Sequence, residues 1–403
     1  MRQVLIAISL LAAWASVALV AQTRYLPDSP GTWKPWQFTA YADHRRLLSA
    51  RPADVKELEA QLLRLNAIIK KTDGFTNPIG FSVETAGLLE LETVRSSTGS
   101  GQPALTVQPL PASLNFGAYS VHETGSGSSA KRFDTGETAQ LLFFVNQLPL
   151  ALFSAPDHAV PEFEKLDADV ARLAAPHPDV FGLPRYGNAI VLKKSTAPIW
   201  TAVTLAETLD LVVRAIERRL VDQREVVGRV QAAYNDLRDP KKRDQRIAEY
   251  KTIAAVTKDP KAYMDTMMKV EAGMEKNADT MLAPIADARA VVSKSEQELA
   301  DAKAMASGLS AADKAAPACY ASGNTASLSR FRRSPAPGCD PLVRPNWKLF
   351  NPALPRSAPQ LLTIGHFEGC LVADRPVLQV GGCTANKRLL ESIDKAALLA
   401  WLQ

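Results

Sequence analysis

Sulfur-bearing side chains are the potentially reactive residues with the most distinctive spacing. All four cysteines lie late in the chain, at Cys319, Cys339, Cys370 and Cys383. In an exported chain an even number of cysteines predicts disulfides, and four allow three pairings. We expect Cys319–Cys339 and Cys370–Cys383, the second pair flanking a hairpin-like stretch. Zinc is the alternative, but no close ligand pair of the type Cys-x-x-Cys is present.

Methionines cluster in one predicted helix. Five of the seven in the chain are Met264, Met267, Met268, Met274 and Met281. On a helix, Met267, Val270, Met274, Ala278 and Met281 share one face. One interpretation is the buried stripe of an amphipathic helix. Another is an adaptable apolar face for a partner or hydrophobic ligand, with Met264, Met267, Met274 and Met281 as its candidate contacts. A third interpretation is a set of thioether ligands for Cu(I), but no His or Cys accompanies these methionines to support it.

The histidines and serines do not form a recognisable catalytic or metal-binding motif. His44, His122, His158, His177 and His366 are scattered, and His366 with Glu368 supplies only two ligands on one strand face. The Gly/Ser tract Thr124–Ser129 follows His122, but it matches neither a nucleophile elbow nor a phosphate loop. Its composition predicts an exposed turn. We therefore assign no catalytic residue and expect no metal or cofactor.

Charge and aromatic clusters indicate no nucleic-acid partner. The net charge of +5 is spread along the chain, whereas nucleic-acid binding usually requires a concentrated basic face. The run Arg330–Arg333 is interpreted as a solvated loop, with an anionic partner as the alternative. Trp33 and Trp36 are expected to pin the N-terminal arm to a core, the alternative being a stacking site.

The N-terminus predicts export. Arg2 precedes an uncharged run from Val4 to Ala21 that ends in small residues, as in a secretory signal peptide spanning residues 1–21. Cleavage after Ala18 or Ala21 would leave a periplasmic or secreted protein with no transmembrane segment. The alternative is an uncleaved anchor, because about eighteen apolar residues can just cross a bilayer.

The rest of the chain is predicted to be α+β in three parts. Residues 24–203 mix helical and strand patterns and predict a mostly antiparallel sheet. Residues 204–310 predict a helical domain of long antiparallel helices that opens with a capping box, Thr204 to Glu207. Its first helix carries a stripe at steps of three and four, as in a coiled coil: Leu209, Val213, Ile216, Leu220, Gln223, Val227, Val230, Tyr234 and Leu237. Asp239-Pro240 is expected to end that helix, and Asp259-Pro260 to open a later one. Residues 311–403 predict a small region stapled by disulfides.

These patterns favour a non-catalytic binding or scaffolding protein of the cell envelope or secreted space. A protein partner would dock on the helical domain, and the oligomeric state stays open. A hydrolase of an envelope polymer or peptide is the alternative from a different class, and a carrier of a hydrophobic small molecule is a second. A converging polar pocket would identify the hydrolase, and an enclosed apolar cavity the carrier.

Overall fold

A computed structural model of the 403-residue chain describes residues 24–90, 109–125, 130–153, 170–173, 176–180, 182–321, 328–366 and 381–403. The chain divides into two compact units. The sheet unit comprises the described parts of Met1–Pro156, Ala171–Thr201 and Val343–Gln403, and the helical unit those of Asp157–Val170 and Ala202–Leu342. Residues 311–403 are thus divided between the two units.

One long helix covers a face of the main sheet. Helix α2 (Pro52–Lys71) follows α1 (Ala42–Leu47), has Pro52 in its first turn and ends before Gly74, whose φ of +77° suits glycine. Its stripe Leu58, Leu62, Leu65 and Ile69 is fully buried, at the spacing expected of one helix face. The stripe packs into a core with sheet residues such as Phe116.

The strands of the sheet unit are β1 (Arg24–Tyr25), β2 (Gln37–Thr39), β3 (Phe81–Leu89), β4 (Ala112–Thr124), β5 (Lys131–Val145), β6 (Ala171–Arg172), β7 (Pro176–Val180), β8 (Leu183–Tyr186), β9 (Ala189–Lys193), β10 (Trp200–Ala202), β13 (Cys339–Pro345) and β14 (Leu361–His366). Strands β10 and β13 each have residues in both units. In the large sheet the order is β2-β3-β4-β5-β14-β9-β8-β7, with β1 beside β4. Every pairing in it is antiparallel except β2 with β3. The prediction of a mostly antiparallel sheet is confirmed.

The C-terminal segment completes this sheet. Strand β14 lies between β5 and β9, pairing Leu362 with both Val145 and Leu192. The closing helices α9 (Gly381–Ser392) and α10 (Lys395–Trp401) contribute to the same core as α2. The Trp401 indole of α10 also donates a hydrogen bond to the backbone oxygen of Gln61, which joins α10 directly to α2.

Asn146 fastens β14 beside β5. It is fully buried and has a φ of +57°, a left-handed conformation in which asparagine is enriched. Its amide nitrogen donates to the backbone oxygens of Leu110 and Ala358, both at 3.0 Å. Its amide oxygen accepts from the backbone of Gln360 at 2.8 Å and Leu361 at 3.3 Å. One side chain thereby satisfies four buried backbone groups that come from distant parts of the sequence.

A smaller apolar cluster in the sheet unit includes α3 (Leu150–Phe153). Phe153 packs there with Val191, Ile199, Phe350 and Leu361, and its ring lies edge-on to Trp200. A short 3-10 helix, Trp347–Leu349, precedes Phe350.

The helical unit contains four long helices in sequence. They are α4 (Leu205–Arg238), α5 (Pro240–Ala254), α6 (Pro260–Thr280) and α7 (Leu282–Gly308). The predicted capping box at the start of α4 is confirmed: Glu207 donates its backbone N–H to Thr204 and accepts from the Thr204 N–H. Pro240 and Pro260 begin the next two helices, because proline fits a first helical turn but not an interior.

A small sheet follows the helices. After α8 (Ala311–Ala315), strand β11 (Ala318–Ala321) pairs with β12 (Phe331–Arg333) and with β13, all antiparallel. A 3-10 turn, Leu328–Arg330, precedes β12. Cys319 and Cys339 form the predicted disulfide between β11 and β13, with their Cα atoms 5.5 Å apart. Cys370 lies outside the described residues, and so therefore does the predicted Cys370–Cys383 pair. The α+β class, with helices after the sheet and a disulfide in the C-terminal region, is confirmed.

Candidate interaction surface of the helical unit

The four long helices form one extended antiparallel hairpin. Cross-connections join α4 to α7, α4 to α6 and α5 to α6, and the residue numbers on one arm rise steadily as those on the other fall. From the base outwards the pairs are Glu217–Lys303, Arg224–Glu296, Gln231–Arg289, Arg238–Asp279, Arg243–Glu275 and Arg246–Glu271. The arms meet at residues 255–259. At 1.5 Å per residue, α4 is about 51 Å long and α5 about 22 Å, and the two are separated by the extended residue Asp239.

Only the base of this hairpin has a substantial apolar core. Leu205, Leu209, Val212, Ile216 and Leu220 are buried against residues of α7 and the small sheet. Beyond Leu220, the remaining eighteen residues of α4 include none that is buried. Their predicted stripe, from Gln223 to Leu237, is half-buried and faces the seam with α7. Hydrophobic stabilisation therefore decreases from the base towards the outer end.

The outer half contains a buried charged residue. Glu271 of α6 has a side chain only 1% exposed, on the face that packs against α5. Both its oxygens accept from the Arg246 guanidinium, at 2.8 and 2.9 Å, and Oε1 also accepts from the Tyr250 hydroxyl at 2.9 Å. We call Arg246, Tyr250 and Glu271 the ionic clamp. A bidentate arginine–carboxylate pair is among the stronger polar contacts in proteins.

The protonation behaviour of the clamp follows from its geometry. Hydrogen bonding from Arg246, supported by the Tyr250 hydroxyl, holds the pKa of Glu271 below its ordinary value despite burial. Burial and then the bond to Glu271 raise the pKa of the Tyr250 phenol. At neutral pH the site is an ionised carboxylate with three donors. Its donors satisfy the carboxylate, so the clamp is suited to joining two helices rather than to general-base chemistry.

The methionines line the same seam as Glu271. Of the α6 face, Glu271 and Ala278 are buried, and the half-buried methionines at the same helical spacing are Met264, Met267, Met274 and Met281. Val270, expected on that face, is 39% exposed and points away from it, since Glu271 occupies the seam position. Met268 is exposed as well. The use of these methionines by a partner stays a prediction.

The outer end of the hairpin combines apolar and basic side chains. We call residues 251–262 the hairpin tip. Val256 is 85% exposed and Ile253 47%, and Lys251, Lys258 and Lys261 are also exposed. The single acidic residue of the tip, Asp259, caps α6 by accepting from the Ala262 N–H at 3.0 Å.

A second polar cluster lies on the large sheet. The Lys34 ammonium donates to Glu84 at 3.0 Å and sits 3.9 Å from the centre of the Tyr119 ring. The bond from Lys34 lowers the pKa of Glu84, whereas burial, followed by the bond to Glu84, raises the pKa of Tyr119 to about 12. The phenol is therefore protonated and the carboxylate ionised at neutral pH, a pairing that holds the arm carrying Lys34 on the sheet.

Other sequence candidates are dispersed in the structure. The His122 ring packs between Tyr25 and Phe133, and His44 contacts the backbone oxygen of Leu89 at 3.1 Å. Residues 126–129 of the Gly/Ser tract, His158 and Glu368 lie outside the described residues. Within the described parts of the chain, His, Cys, Asp and Glu side chains nowhere gather in threes as a metal ion would require.

Trp33 and the arginine run occupy structural positions. The Trp33 indole donates to the backbone oxygen of Phe75 at 2.7 Å, and both Trp33 and Trp36 pack on the main core. Phe331 is buried in the core of the helical unit, and Arg333 lies 3.8 Å from Asp313.

Sequence reasoning missed the ionic clamp. The signal was present, because Met264, Met267, Glu271, Met274, Ala278 and Met281 follow one another at steps of three and four. A carboxylate inside such a stripe predicts a buried cationic partner on the facing helix. Arg246 and Tyr250, one turn apart on the helix before, could have been proposed as that partner.

Comparison with known proteins does not assign a function. No family model, no curated protein and no solved structure matches this chain. Among the helices of the described residues, none is long and apolar enough to cross a membrane.

Proposed function

We propose that this chain is an exported, non-catalytic binding or scaffolding protein that uses its helical hairpin as a docking arm. The observation that carries the proposal is the uneven burial along the hairpin. The hairpin has its buried apolar core only near the base, and beyond Leu220 its helices are joined by half-buried side chains and polar pairs. Such a projection adds little to the core of its own unit, while it offers a long accessible surface to a partner.

Two features support a location in the periplasm or outside the cell. The segment from Met1 to Ala21 has the composition of a cleavable signal peptide. The disulfide Cys319–Cys339 is stable in an oxidising compartment and rare in a reducing cytosol. Together they favour export, and the small residues that end the apolar run favour signal removal over retention as an anchor.

A truncation designed on the helix register tests the docking arm. Arg224 and Glu296 lie opposite each other, with 2.6 Å between their paired atoms, so residues 225–295 can be replaced by a short Gly/Ser linker across the two helices. The base keeps its core from Leu205 to Leu220 and stays folded by circular dichroism. The full and truncated proteins are then purified from the cell envelope fraction of the cells that make them, and both are analysed by native mass spectrometry.

We expect a stoichiometric second chain on the full protein and none on the truncated one. If both carry the same partner, the hairpin is not the docking element. If neither does and the full protein is a bare monomer, the binding function loses its support and an enzyme with transient substrates gains it. A mass that retains Met1 to Ala21 would overturn signal removal.

A further inference from the structure

The hairpin tip has the side chains of a membrane-surface contact. Val256 and Ile253 are well exposed at the very end of the hairpin, where no described part of the helical unit covers them. Three exposed lysines belong to the same twelve-residue segment, and its one carboxylate is engaged in capping α6. Exposed apolar side chains bordered by lysines are the pattern of segments that insert shallowly at the headgroup level.

We propose that the hairpin tip binds the surface of a bilayer that contains anionic phospholipid. This inference rests on the proposed function, because it takes the hairpin as the element that docks and names the partner of its end. Charge complementarity selects the lipid. Lys251, Lys258 and Lys261 against Asp259 leave residues 251–262 with an excess of positive charge at the end of the hairpin, whereas the exposed carboxylates Glu249 and Asp265 lie further back along α5 and α6. A lysine close to an anionic leaflet contributes to binding.

The size of the tip favours a lipid surface over a folded protein. A stable protein interface uses about 20 to 30 residues on each side, whereas the tip offers twelve, of which Ala254 is buried. A bilayer requires no matching shape, since a few apolar side chains and nearby lysines suffice for reversible binding.

The local backbone holds these side chains in place. The N–H of Val256 donates to the Ile253 oxygen and that of Thr257 to the Ala254 oxygen, so the end of α5 closes in an ordered turn. Asp259 then begins α6. The apolar side chains are therefore presented by a defined turn at the end of two paired helices.

Vesicle flotation of the full mature protein tests this inference. Vesicles of phosphatidylcholine alone are compared with vesicles that also contain phosphatidylglycerol. We expect binding only to the second kind, and weaker binding as salt is raised. Replacing two of the three exposed lysines (Lys258→Gln with Lys261→Gln) should weaken it by about fivefold per lysine.

The apolar contribution has a matched control within the same hairpin. Val256→Asp should weaken vesicle binding by about tenfold, since it exchanges an inserted valine for a charge. Val221→Asp makes the same change at a valine that is 63% exposed on α4, far from the tip, and should leave binding unchanged. Both sites are exposed, so both variants are expected to fold as judged by circular dichroism.

The outcomes separate this inference from the proposed function. Equal binding to both kinds of vesicle, no binding at low salt, or equal losses in the two Asp variants would each overturn the lipid contact. Equally strong binding to soluble polyglutamate would also overturn it and indicate an acidic protein instead. If vesicles fail while the truncated protein still loses its second chain, the docking arm stands without a lipid contact. If the tip binds vesicles while the truncated protein keeps its second chain, the lipid contact stands and the hairpin is not the docking element for a protein.

Discussion

The ionic clamp predicts that the outer half of the hairpin depends on one buried carboxylate. Glu271→Ala removes the acceptor of three hydrogen bonds from Arg246 and Tyr250. Hydrogen bonds to charged groups contribute about 1.5–3 kcal/mol when buried. Because the Arg246 side chain is 23% exposed and can be hydrated after the change, we expect a loss of about 2 kcal/mol.

The matched control lies one helical turn away. Glu275 is on the same helix and pairs with Arg243 at 2.7 Å, but the Arg243 side chain is 41% exposed and that of Glu275 40%. Exposed ion pairs contribute about 0.5 kcal/mol, so Glu275→Ala should cost that amount. The change of helix propensity from Glu to Ala is the same in both variants and cancels in the comparison.

Hydrogen exchange followed by mass spectrometry reports this difference locally. Where reclosing is faster than exchange, a gap of about 1.5 kcal/mol corresponds to roughly tenfold faster exchange in α5 and α6 of Glu271→Ala than of Glu275→Ala. Amides of α4 near the base should be unaffected, because the apolar core there does not include Glu271. Equal exchange in the two variants would refute the assigned strength of the clamp. Equal acceleration at base and outer half would refute the local character of the opening.

Three further predictions follow from individual contacts. Glu271 has a lowered pKa in the folded chain, so its contribution to the stability of the hairpin is fully present above the ordinary pKa of 4.5 and is lost as the pH falls through the lowered pKa. Protection of α5 and α6 from hydrogen exchange should fall over that pH range, and Glu271→Gln should abolish this pH dependence. Asn146→Gly keeps the left-handed backbone but removes four hydrogen bonds, and it should cost about 3 kcal/mol in urea unfolding, where a loss below 1 kcal/mol would contradict the bridging role. Replacing Cys319 and Cys339 by alanine opens a loop with a sequence separation of 20 and should lower the free energy of unfolding by about 3 kcal/mol. Reductant should lower the stability of the unchanged protein by the same amount and should not affect the variant; a further loss in the variant would show that another disulfide contributes.

Local sequence signals predicted the elements of the helical unit well. Thr204 with Glu207, Asp239 before Pro240 and Asp259 before Pro260 are short-range patterns whose physical effect is confined to one helical turn. The apolar steps from Leu209 to Leu220 likewise record which face is buried. Such features need no knowledge of the rest of the fold.

Long-range pairing could not be predicted in the same way. Nothing near Leu361 indicates that its strand lies between β5 and β9, because the partners are far away in sequence and the strand pattern fits many neighbours. The four bonds of Asn146 have the same origin: an asparagine after a strand predicts a turn, but its acceptors at Leu110 and Ala358 depend on the completed sheet. For the clamp the difficulty is different, because an apolar stripe records which face is buried, whereas a carboxylate within it is buried only by virtue of its partners on the facing helix.

The free energy lost when one partner of the clamp is removed differs from the net contribution of the clamp to hairpin stability, and a last variant separates the two. Removing one partner of a buried ion pair leaves the other without compensation, whereas replacing both by apolar residues is often neutral or stabilising. Glu271→Met with Arg246→Leu would extend the methionine seam through the clamp, with Tyr250 able to reach water because it is only half-buried. We expect exchange in α5 and α6 to be as slow as in the unchanged protein or slower, although Glu271→Ala alone accelerates it. If the double variant exchanges as fast as Glu271→Ala, the clamp itself stabilises the hairpin beyond what apolar packing could supply. If it exchanges slowly, the polar residues are not needed for strength. They would then serve to limit the apolar surface that is exposed when the arm opens. A docking arm needs this property, because a large exposed apolar patch would bind other proteins before the arm meets its partner.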